Sequence, residues 1–414
     1  MNTLKQSALV SLTLLACSQL CPAGEWPQWR GPNRDGKSTE TGLLKEWPQQ
    51  GPALSWKVNG LGKGYAGISA IGDRLYTMGD KEDGSYLIAL SADGGKPLWS
   101  TKVGAVGAPG WGGFTGPRCT PTVSGGLVFT VGQWGELVCF NADGKQQWAK
   151  NYTNDFGSSR PEWGFSESPL VDGDQVIVTP GGKEGAMTAL NKKTGEVIWR
   201  SKDFKDSAHY SSIIAADIDG LHQYVQLTAA NVVGISAKDG SVLWKAARKG
   251  ATAVIPTPIV DGNFVYVTSG YSIGCNLFKV ASADGKFSAE QVYANKTLVN
   301  HHGGVVKVGD NLYGYSDGKG FTCQNMKTGD AVWAEKEKIK KGSVSFADGM
   351  LYAREEGSGT IILLAASPEG YTEKGRFKQP SRAKENAWAH PTIANGKLYI
   401  RDQDLLLCYD VKGK

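Results

Sequence analysis

The chain lacks any apolar run long enough to cross a membrane, since even the run at 9–16 is too short, and it also lacks a long basic segment. Its longest basic stretch is KIKK at 338–341, and the formal net charge of the 414 residues is only +5. A surface that binds nucleic acid needs a larger cluster of positive charge. Apolar residues alternate in short runs rather than at helical spacing, so the sequence predicts short strands and no nucleic-acid partner.

The N-terminal segment has the pattern of an export signal. One lysine precedes the apolar run 9–16, and small residues follow, which predicts a signal peptide over 1–23. The letters LLAC at 14–17 resemble a lipobox, which would leave Cys17 as a lipidated N-terminus. Cleavage after Ala23 would instead release a soluble protein. Both alternatives predict an exported, periplasmic protein, and the first adds a lipid tether to the outer membrane.

Glycine and tryptophan are abundant, with 55 and 13 residues, and they recur in a fixed pattern. A Gly-x-x-x-Trp element follows a short apolar run five times. Its tryptophans are Trp99, Trp148, Trp199, Trp244 and Trp333. A second element, made of a strand, a turn and a further strand, occurs eight times along the chain, which gives eight units of about 39–53 residues with four short strands each. Units of this length and content predict a β-propeller.

The two ends of the chain support a closed ring. The eighth unit ends at LLLCYDVKGK without an outer strand, whereas PALSWKV at 52–58 has the outer-strand pattern and carries Trp56. We therefore expect the N-terminal strand to complete the last blade, which removes the open sheet edge. The predicted fold is all-β, an eight-bladed propeller of four-stranded antiparallel blades over 52–414. Residues 24–51 are predicted to form a lead that packs on it.

The repeated Gly-x-x-x-Trp turn resembles the tryptophan-docking repeat of the PQQ-type eight-bladed propellers. The resemblance covers residues 52–414, and blades five and seven depart from it, with Ala289 and Lys374 expected at the tryptophan position. That family includes quinoprotein dehydrogenases and also the outer-membrane assembly lipoprotein BamB, a binding scaffold without a cofactor. The WPQWRGPNRDG opening further resembles exported PQQ-like propellers of unassigned role. The resemblance predicts the fold, but function depends on the site.

The cysteines are predicted to be free thiols. Cys139, Cys323 and Cys408 fall at one third-strand position, where other blades have alanine or glycine. Such a position is a small buried slot, and its members belong to separate blades, too far apart for a disulfide. Cys119 and Cys275 also belong to different blades, and no CxxC spacing indicates a metal or redox site.

One face of the propeller is predicted to carry a binding site. The link from each outer strand to the next inner strand lies on this face, and the eight links are rich in polar and aromatic residues. Such groups converging from separate segments are typical of a small-molecule or peptide pocket. The predicted ligand-binding residues are Tyr65, Arg118, Arg160, Trp163, Glu167, His209, Tyr210, His301, His302, Trp388 and His390.

Simpler roles compete with this interpretation. A histidine where a strand begins often just satisfies a backbone carbonyl, and Trp26 and Trp29 of the lead are expected to be packing groups. If the NHHGG link is extended, only one ring of the doublet His301 and His302 can face the channel. No metal site is expected, because the histidines come from blades four, six and eight.

Three functions remain open, and whether the protein is an enzyme is one of the open points. We favour a BamB-like scaffold that binds a small molecule or a peptide or protein as a monomer, with no cofactor. The alternative that the resemblance implies is a PQQ-dependent alcohol or sugar dehydrogenase with Ca²⁺, in which Glu167 and Arg118 would supply part of the site and Trp163 or Trp388 would stack. Against it, the chain has no adjacent Cys-Cys pair, no CxxCH haem site and no large insertion. A lyase or hydrolase would use the histidines, but no spacing identifies a triad.

Overall fold

The protein is a closed ring of eight four-stranded antiparallel sheets. A computed structural model describes residues 24–107 and 114–413. The predicted signal peptide and Cys17 lie outside the described residues. Within those residues no helix is long and apolar enough to cross a membrane.

The strands follow the chain from β1, which is an outer strand, through seven complete blades and the three remaining strands of the eighth. The first four blades contain β2 to β17, with one short helix after β9. Their bounds, after β1 (Ala53–Val58), are β2 (Ser69–Ile71), β3 (Arg74–Lys81), β4 (Gly84–Ser91), β5 (Pro97–Gly104), β6 (Thr122–Ser124), β7 (Leu127–Val131), β8 (Glu136–Asn141), β9 (Gln146–Asn151), α1 (Tyr152–Phe156), β10 (Leu170–Asp172), β11 (Gln175–Val178), β12 (Thr188–Asn191), β13 (Val197–Arg200), β14 (Ile214–Ile218), β15 (Leu221–Leu227), β16 (Asn231–Ser236) and β17 (Val242–Ala247).

The second half of the ring repeats the same order. Its strands are β18 (Ile259–Asp261), β19 (Phe264–Ser269), β20 (Gly274–Ala283), β21 (Lys286–Asn295), β22 (Val306–Val308), β23 (Asn311–Ser316), β24 (Gly320–Asn325), β25 (Ala331–Glu335), β26 (Gly342–Ala347), β27 (Met350–Glu355), β28 (Thr360–Ala365), β29 (Glu373–Lys378), β30 (Thr392–Ala394), β31 (Lys397–Asp402) and β32 (Leu405–Asp410). The eighth sheet has the order β1-β32-β31-β30. Trp56 of β1 lies opposite Cys408 of β32, which confirms the predicted closure and the fold class.

The recurring tryptophan packs its blade against the next one, as Trp99 and Trp56 show. Trp99 Nε1 donates a hydrogen bond to the carbonyl of Ala142 in the following blade at 2.9 Å. The ring covers Gly144, where an added Cβ would lie 2.7 Å from the indole. Trp56 covers Gly95 in the same way, at 2.6 Å. Glycine is required at this turn because its φ is positive and because the indole fills the space of a side chain.

The small slot predicted for the third strand lies opposite the tryptophan. Cys139 pairs with Trp148 and Cys323 pairs with Trp333 in the strand register. All five cysteines of the described residues are free and buried, as predicted. A small side chain is needed there because the bulky indole stands across from it.

Two blades replace the tryptophan, but not at the residues expected from the sequence. In blade five the residue in register is Tyr293, opposite Leu277, and not Ala289. The hairpin of β20 and β21 is longer than the other outer hairpins. The position that corresponds to the tryptophan is therefore farther from the hairpin turn than in the other blades. Tyr293 donates from its hydroxyl to the next blade's Met326 carbonyl at 2.7 Å, so its role is that of the indole.

Blade seven receives its tryptophan from the lead. The residue in register is Gly375, opposite Leu363, and not Lys374. An added Cβ at Gly375 would lie 2.6 Å from Trp47 Cβ. Trp47 is buried there against Phe377, with ring centroids 5.3 Å apart. The lead therefore completes a blade whose own strand has no side chain at this position.

The first part of the lead fills the central channel. It begins beside the inner turns, where the Gly24 carbonyl accepts from Asn395 N–H at 3.0 Å. Trp26 then pairs with Ala70 of β2 as a bridge. The chain turns back at a loop in which Arg30 has a φ of 61°, and Ser38 N–H donates to the Phe346 carbonyl of β26 at 2.8 Å.

Two buried arginines fix this loop inside the ring. Arg30 donates to the Val305 carbonyl at 2.6 Å. Arg34 donates to the Ser168 carbonyl at 2.7 Å and to the Pro169 carbonyl at 3.0 Å. These acceptors belong to the links into blades six and three, on different sides of the ring. Hydrogen bonds of this kind are needed because a buried guanidinium without acceptors would be strongly destabilising.

Hydroxyl side chains of the inner strands, or of the link just before one, join neighbouring blades. Each donates to a carbonyl just before or at the start of the next inner strand. The pairs are Thr122 with Pro169 at 2.6 Å, Ser211 with Pro256 at 2.9 Å, Ser345 with Pro391 at 2.7 Å and Thr392 with Ile68 at 3.2 Å. Because these bonds lie where the links enter the channel, they hold the link ends in place.

We predict that Trp47→Ala lowers the free energy of unfolding by about 3–5 kcal/mol, the usual cost of removing a large buried aromatic side chain. Urea denaturation followed by circular dichroism measures it. The matched control is Leu98→Ala, which removes an exposed apolar side chain of an outer strand and should change stability by no more than about 0.5 kcal/mol. Equal stabilities of the two variants would show that the lead does not complete blade seven.

Candidate functional site

A cavity opens on the face that carries the links between blades. Within each antiparallel blade, the link to the next blade and the turn between the second and third strands lie on this face. We call it the link face, and the opposite side, with the remaining turns, the turn face. The cavity measures about 340 Å³, inside the range of about 300–1,000 Å³ typical of small-molecule sites.

Eight of the eleven residues predicted from the links line this cavity. They are Tyr65, Arg118, Trp163, Tyr210, His301, His302, Trp388 and His390. They come from the links into blades one, two, three, four, six and eight. The cavity wall is therefore assembled from segments far apart in sequence, and a binding role for these residues stays a prediction.

Arg160 and His209 are not in the cavity wall. Arg160 is exposed and stacks over the Trp134 ring, with 4.7 Å between the guanidinium carbon and the ring centroid. His209 turns its Nδ1 to the backbone, where it accepts from Val254 N–H at 2.9 Å. Burial lowers the pKa of His209. The neutral ring therefore accepts a hydrogen bond from the backbone, which is a structural role rather than a ligand contact.

Glu167 is also absent from the wall, because its side chain points between blades two and three. Its Oε1 accepts from the Tyr152 hydroxyl at 2.8 Å and from Thr179 N–H at 2.7 Å. Its Oε2 has no hydrogen-bond partner. Burial raises the pKa of this carboxyl to about 7, although the hydrogen bonds and the Arg34 charge act to lower it. Glu167 therefore acts on the packing of these blades.

The lead supplies part of the cavity wall. Trp29, expected to be only a packing group, lines the cavity. Its Nε1 donates to Thr257 Oγ1 at 2.9 Å, and its ring lies 4.7 Å from the His390 ring. Because the loop around Trp29 is fixed inside the channel, it closes the channel below the cavity.

An aromatic cluster forms one side of the cavity. Trp388 contacts Tyr65, with ring centroids 4.6 Å apart, and Phe114, with centroids 4.9 Å apart. Trp163 contacts Tyr210 at 5.9 Å. Each ring is thus packed against a neighbour, which limits its motion and presents a preformed apolar surface.

Both histidines of the doublet face the cavity, so the expectation that only one would do so is wrong. The backbone is bent at residues 301–303 rather than extended, and the two rings lie edge to face with centroids 5.2 Å apart. The following glycines allow the bend. An added Cβ would come within 1.9 Å of the Gly342 carbonyl at Gly303 and of Arg30 Nη1 at Gly304, so neither position has space for a side chain.

The three imidazoles in the wall have hydrogen-bonding capacity that the protein leaves unused. His301 Nε2 bonds to the Tyr271 hydroxyl at 2.8 Å. His390 Nε2 donates to the His302 carbonyl at 3.0 Å. His302 Nε2 lies 3.3 Å from Glu356 Oε2 without the alignment of a hydrogen bond. The Nδ1 atoms of all three rings have no partner.

These imidazoles are held in the neutral form. Burial lowers the pKa of His301 to about 4, with a smaller effect of the Lys341 charge. Burial and then the Arg30 charge lower the pKa of His390 to about 3. The pKa of His302 is also well below its usual value, again mainly through burial. Each neutral ring offers one donor and one acceptor nitrogen.

The cavity has few formal charges. The Arg118 guanidinium donates to the carbonyls of Gly116 at 3.1 Å and Trp163 at 3.2 Å, and burial lowers its pKa. Glu356 accepts from Trp388 Nε1 at 2.8 Å, and burial raises its pKa. Across residues 24–107 and 114–413, no group of three or more His, Cys, Asp or Glu side chains could hold a metal ion.

The sequence of the repeats matches a known family. Residues 82–335, more than half of the chain, match the family model described as "Outer membrane protein assembly factor BamB". The chain belongs to this BamB family of PQQ-type propellers.

Two curated BamB proteins are similar to this BamB-family chain. The protein from Shewanella oneidensis is 24% identical over 251 residues, which is 58% of this chain and 60% of the relative. The protein from Burkholderia pseudomallei is 27% identical over 188 residues, 43% of this chain and 44% of the relative. The alignments thus span less than two thirds of the length of these relatives.

Solved structures of two kinds share the fold of this BamB-family chain. BamB from Moraxella catarrhalis superposes with a TM-score of 0.60 at 14% identity, covering 87% of this chain and 99% of that one. A quinohemoprotein alcohol dehydrogenase from Pseudomonas putida superposes with a TM-score of 0.64 at 13% identity, covering 95% and 81%. At these identities the likeness shows the propeller alone.

The residues of the cavity do not fit the calcium-quinone pair of the dehydrogenases. Ca²⁺ takes six to eight oxygen ligands, with carboxylates among them. Among the described residues that line the cavity, Glu356 is the one carboxylate, and one of its oxygens is bonded to Trp388. Glu167, the expected contributor, is buried between blades. The aromatic wall would suit a flat ring, but the donor set does not suit Ca²⁺.

Sequence reasoning missed Tyr271 and Glu356, which also line the cavity. They lie in turns between second and third strands, which share the link face but carry no part of the repeated link pattern. The antiparallel order of the predicted blades already placed these turns on that face, so the signal was present. Trp29 was missed because the lead lies outside the repeats, so the repeat pattern does not predict its position.

We predict that the imidazoles of His301, His302 and His390 stay neutral between about pH 5 and 8, the range in which histidines usually titrate. His222 should remain protonated throughout, because its bonds to Asp172, and then to Asp217, raise its pKa to about 9. Two-dimensional NMR of ¹⁵N-labelled histidine measures this, with His222→Gln as the control that removes the protonated signal. A cavity imidazole that titrates near 6.5 would contradict the description.

A second prediction concerns Glu167. Because its pKa is about 7 in the folded protein and near 4.3 in an unfolded chain, the folded state binds more protons between these values. Its contribution to stability is present below about pH 4 and is lost as the pH rises to about 7, with a slope of at most about 1.4 kcal/mol per pH unit.

Glu167→Gln mimics the protonated carboxyl and should flatten this dependence, measured as the urea midpoint against pH. The matched control is Glu290→Gln, at an exposed position on β21, which should keep the wild-type slope. A Glu167→Gln variant with an unchanged slope would show that this carboxyl is ionised in the folded protein.

Proposed function

We propose that this protein is an exported scaffold of the BamB type that binds a small molecule, or a peptide or protein segment, in the cavity of the link face. The observation that carries the proposal is the set of buried imidazole nitrogens in the cavity wall that have no hydrogen-bond partner. Buried polar groups are nearly always satisfied, so these nitrogens favour a site that is completed by a bound molecule.

Binding suits these residues better than proton-transfer chemistry. A general acid or base works best when its pKa lies near the operating pH. Burial moves the pKa of His301 to about 4 and raises the pKa of Tyr271, the hydroxyl bonded to it. Neither group is therefore poised to exchange a proton near neutrality, which disfavours a hydrolase or lyase at this site.

The family supports a role in the assembly of outer-membrane proteins. The curated relatives are named outer membrane protein assembly factors, and we extend that role to this chain as a proposal. A partner would be a protein or peptide that reaches the link face. The protein would act as a monomer in the periplasm, with no cofactor.

The lead indicates how the scaffold would be oriented. Gly24 lies on the turn face, hydrogen-bonded to Asn395 in the turn between β30 and β31. If Cys17 carries a lipid, the tether would therefore join the described structure on the turn face, opposite the cavity. Cleavage after Ala23 would release the same scaffold without the tether.

The assembly role is tested in cells that lack the chromosomal gene. We predict that the wild-type gene restores the level of folded β-barrel proteins in the outer membrane, scored by heat-modifiable mobility, and that His302→Ala restores less. Leaving a buried polar partner unpaired costs about 1–3 kcal/mol, enough to weaken binding several-fold. Leu98→Ala is the control on an outer strand. A deletion strain with a normal outer-membrane profile would overturn the assembly role.

The quinoprotein alternative retains one favourable observation, the aromatic wall around Trp388. We predict that the purified protein shows no Ca²⁺-dependent binding of PQQ, because the described residues of the wall provide one carboxylate, Glu356. Titration with PQQ, with Ca²⁺ or with a chelator, followed by absorbance, measures this. Stoichiometric binding that needs Ca²⁺, with reduction of the quinone on adding an alcohol or sugar, would make the dehydrogenase the better proposal.

A further inference from the structure

A strained turn at the cavity mouth indicates a ligand contact that the fold alone does not need. Between β19 and β20, Tyr271 and Ser272 have φ values of 56° and 63°, and Ile273 N–H donates to the Gly270 carbonyl at 3.2 Å. This is a type I′ turn, whose two central positions are usually glycine, asparagine or aspartate. A tyrosine and a serine are costly there, and such strain concentrates at ligand clamps.

The strained turn presents the Tyr271 ring to solvent at the cavity mouth. The side chain is 41% exposed, and its hydroxyl bonds to His301 Nε2 at 2.8 Å. An added Cβ at Gly270 would lie 3.0 Å from His301 Cα, so the turn packs tightly on the histidine link. The aromatic ring is thus held in one place although a large part of it stays exposed.

The polar groups around the cavity match alcohol hydroxyls. A hydroxyl donates one hydrogen bond and accepts others, and a neutral imidazole also has one donor and one acceptor. His302 and His390 are 8% and 7% exposed, and each has an unpartnered nitrogen. Asn386 and Ser166 add further neutral polar groups to the wall.

The aromatic groups match the C–H faces of a ring. The faces of Trp388, Tyr65 and Phe114 carry partial negative charge, which attracts polarised C–H groups. At about 340 Å³ the cavity has space for about a dozen water-sized groups, close to the number of non-hydrogen atoms in one pyranose. Since the cavity opens to solvent at Tyr271, a longer chain can continue outside.

We propose that the cavity binds the terminal sugar residue of a glycan, with Trp388 against the ring face, the neutral imidazoles on its hydroxyls and Tyr271 as a clamp at the mouth. This rests on the proposal that the cavity is a binding site. Neutral and acidic sugars share the hydroxylated ring, and an acidic sugar would in addition place its carboxylate toward Arg118 or Lys341. Binding involves no covalent or redox step.

Isothermal titration and tryptophan fluorescence test the proposal on the purified wild-type chain. The probes are cellobiose, chitobiose and maltose as neutral sugars, digalacturonic acid as an acidic one, and a short aromatic peptide as the competing class. We expect at least one saccharide to bind at millimolar concentration or below and to change the fluorescence of the cavity tryptophans. Trp388→Ala should weaken this binding at least tenfold.

A matched pair of variants distinguishes the effect of losing the Tyr271 ring from the effect of relieving backbone strain. Tyr271→Gly and Ser272→Gly both relieve a positive φ, so neither should lower the melting temperature. Only Tyr271→Gly removes the aromatic ring, and only this variant should weaken saccharide binding, by several-fold or more. Equal affinities of the two variants, or saccharide binding that Trp388→Ala leaves intact, would overturn the proposed site.

The peptide probe distinguishes failure of the ligand class from failure of the cavity. If the peptide binds in a manner that depends on Trp388 and no saccharide does, the saccharide proposal is wrong while the cavity remains a binding site. If neither class binds, both proposals fail. Binding of digalacturonic acid alone supports the saccharide and assigns Arg118 or Lys341 to its carboxylate.

Discussion

The hole at the centre of a closed ring is the constraint on which the rest of this structure depends. Eight blades meet around an axis where backbone carbonyls of the links would otherwise remain without donors. The lead fills that space, and Arg30 and Arg34 bond to carbonyls on different sides of the ring. Burial lowers the pKa of both groups to about 10, so both remain charged at neutral pH.

The lead also determines the character of the cavity. Trp29 closes the channel below the site, and the Arg30 charge helps to hold His390 in its neutral form. The result is an aromatic and imidazole surface with few formal charges among its described residues. Such a surface discriminates between ligands by shape and by hydrogen bonding rather than by net charge.

Most of the architecture could be predicted because the same sequence pattern recurs in successive blades and indicates the same strands and turns each time. The strand-turn-strand element, which occurs eight times, predicted the number of blades, and the outer-strand pattern around Trp56 predicted the closure. The prediction of the residue at the tryptophan position was wrong in blades five and seven, which lack the Gly-x-x-x-Trp element. The replacements Tyr293 and Trp47 depend on hairpin length and on a segment outside the repeats, which local pattern does not reveal.

The site was predictable to the extent that topology places side chains on a face. Links deliver residues to the link face, so eight of eleven expected residues line the cavity. Glu167 and His209 do not line the cavity, although the sequence predicted it. The direction of a side chain within a link depends on local backbone bends and on which backbone groups need hydrogen-bond partners. A bend also brought His301 and His302 to the same side, against the alternation expected of an extended chain.

Hydrogen exchange of the lead tests most directly the claim that it fills the channel and closes the cavity. The account predicts that the amides of Gly36 and Ser38, which are bonded to the Arg30 and Phe346 carbonyls, exchange as slowly as those of central strands such as β7 and β31. Mass spectrometry of peptides covering residues 24–40 measures this. Exchange of these amides at the rate of a free chain, with the blades still protected, would contradict it.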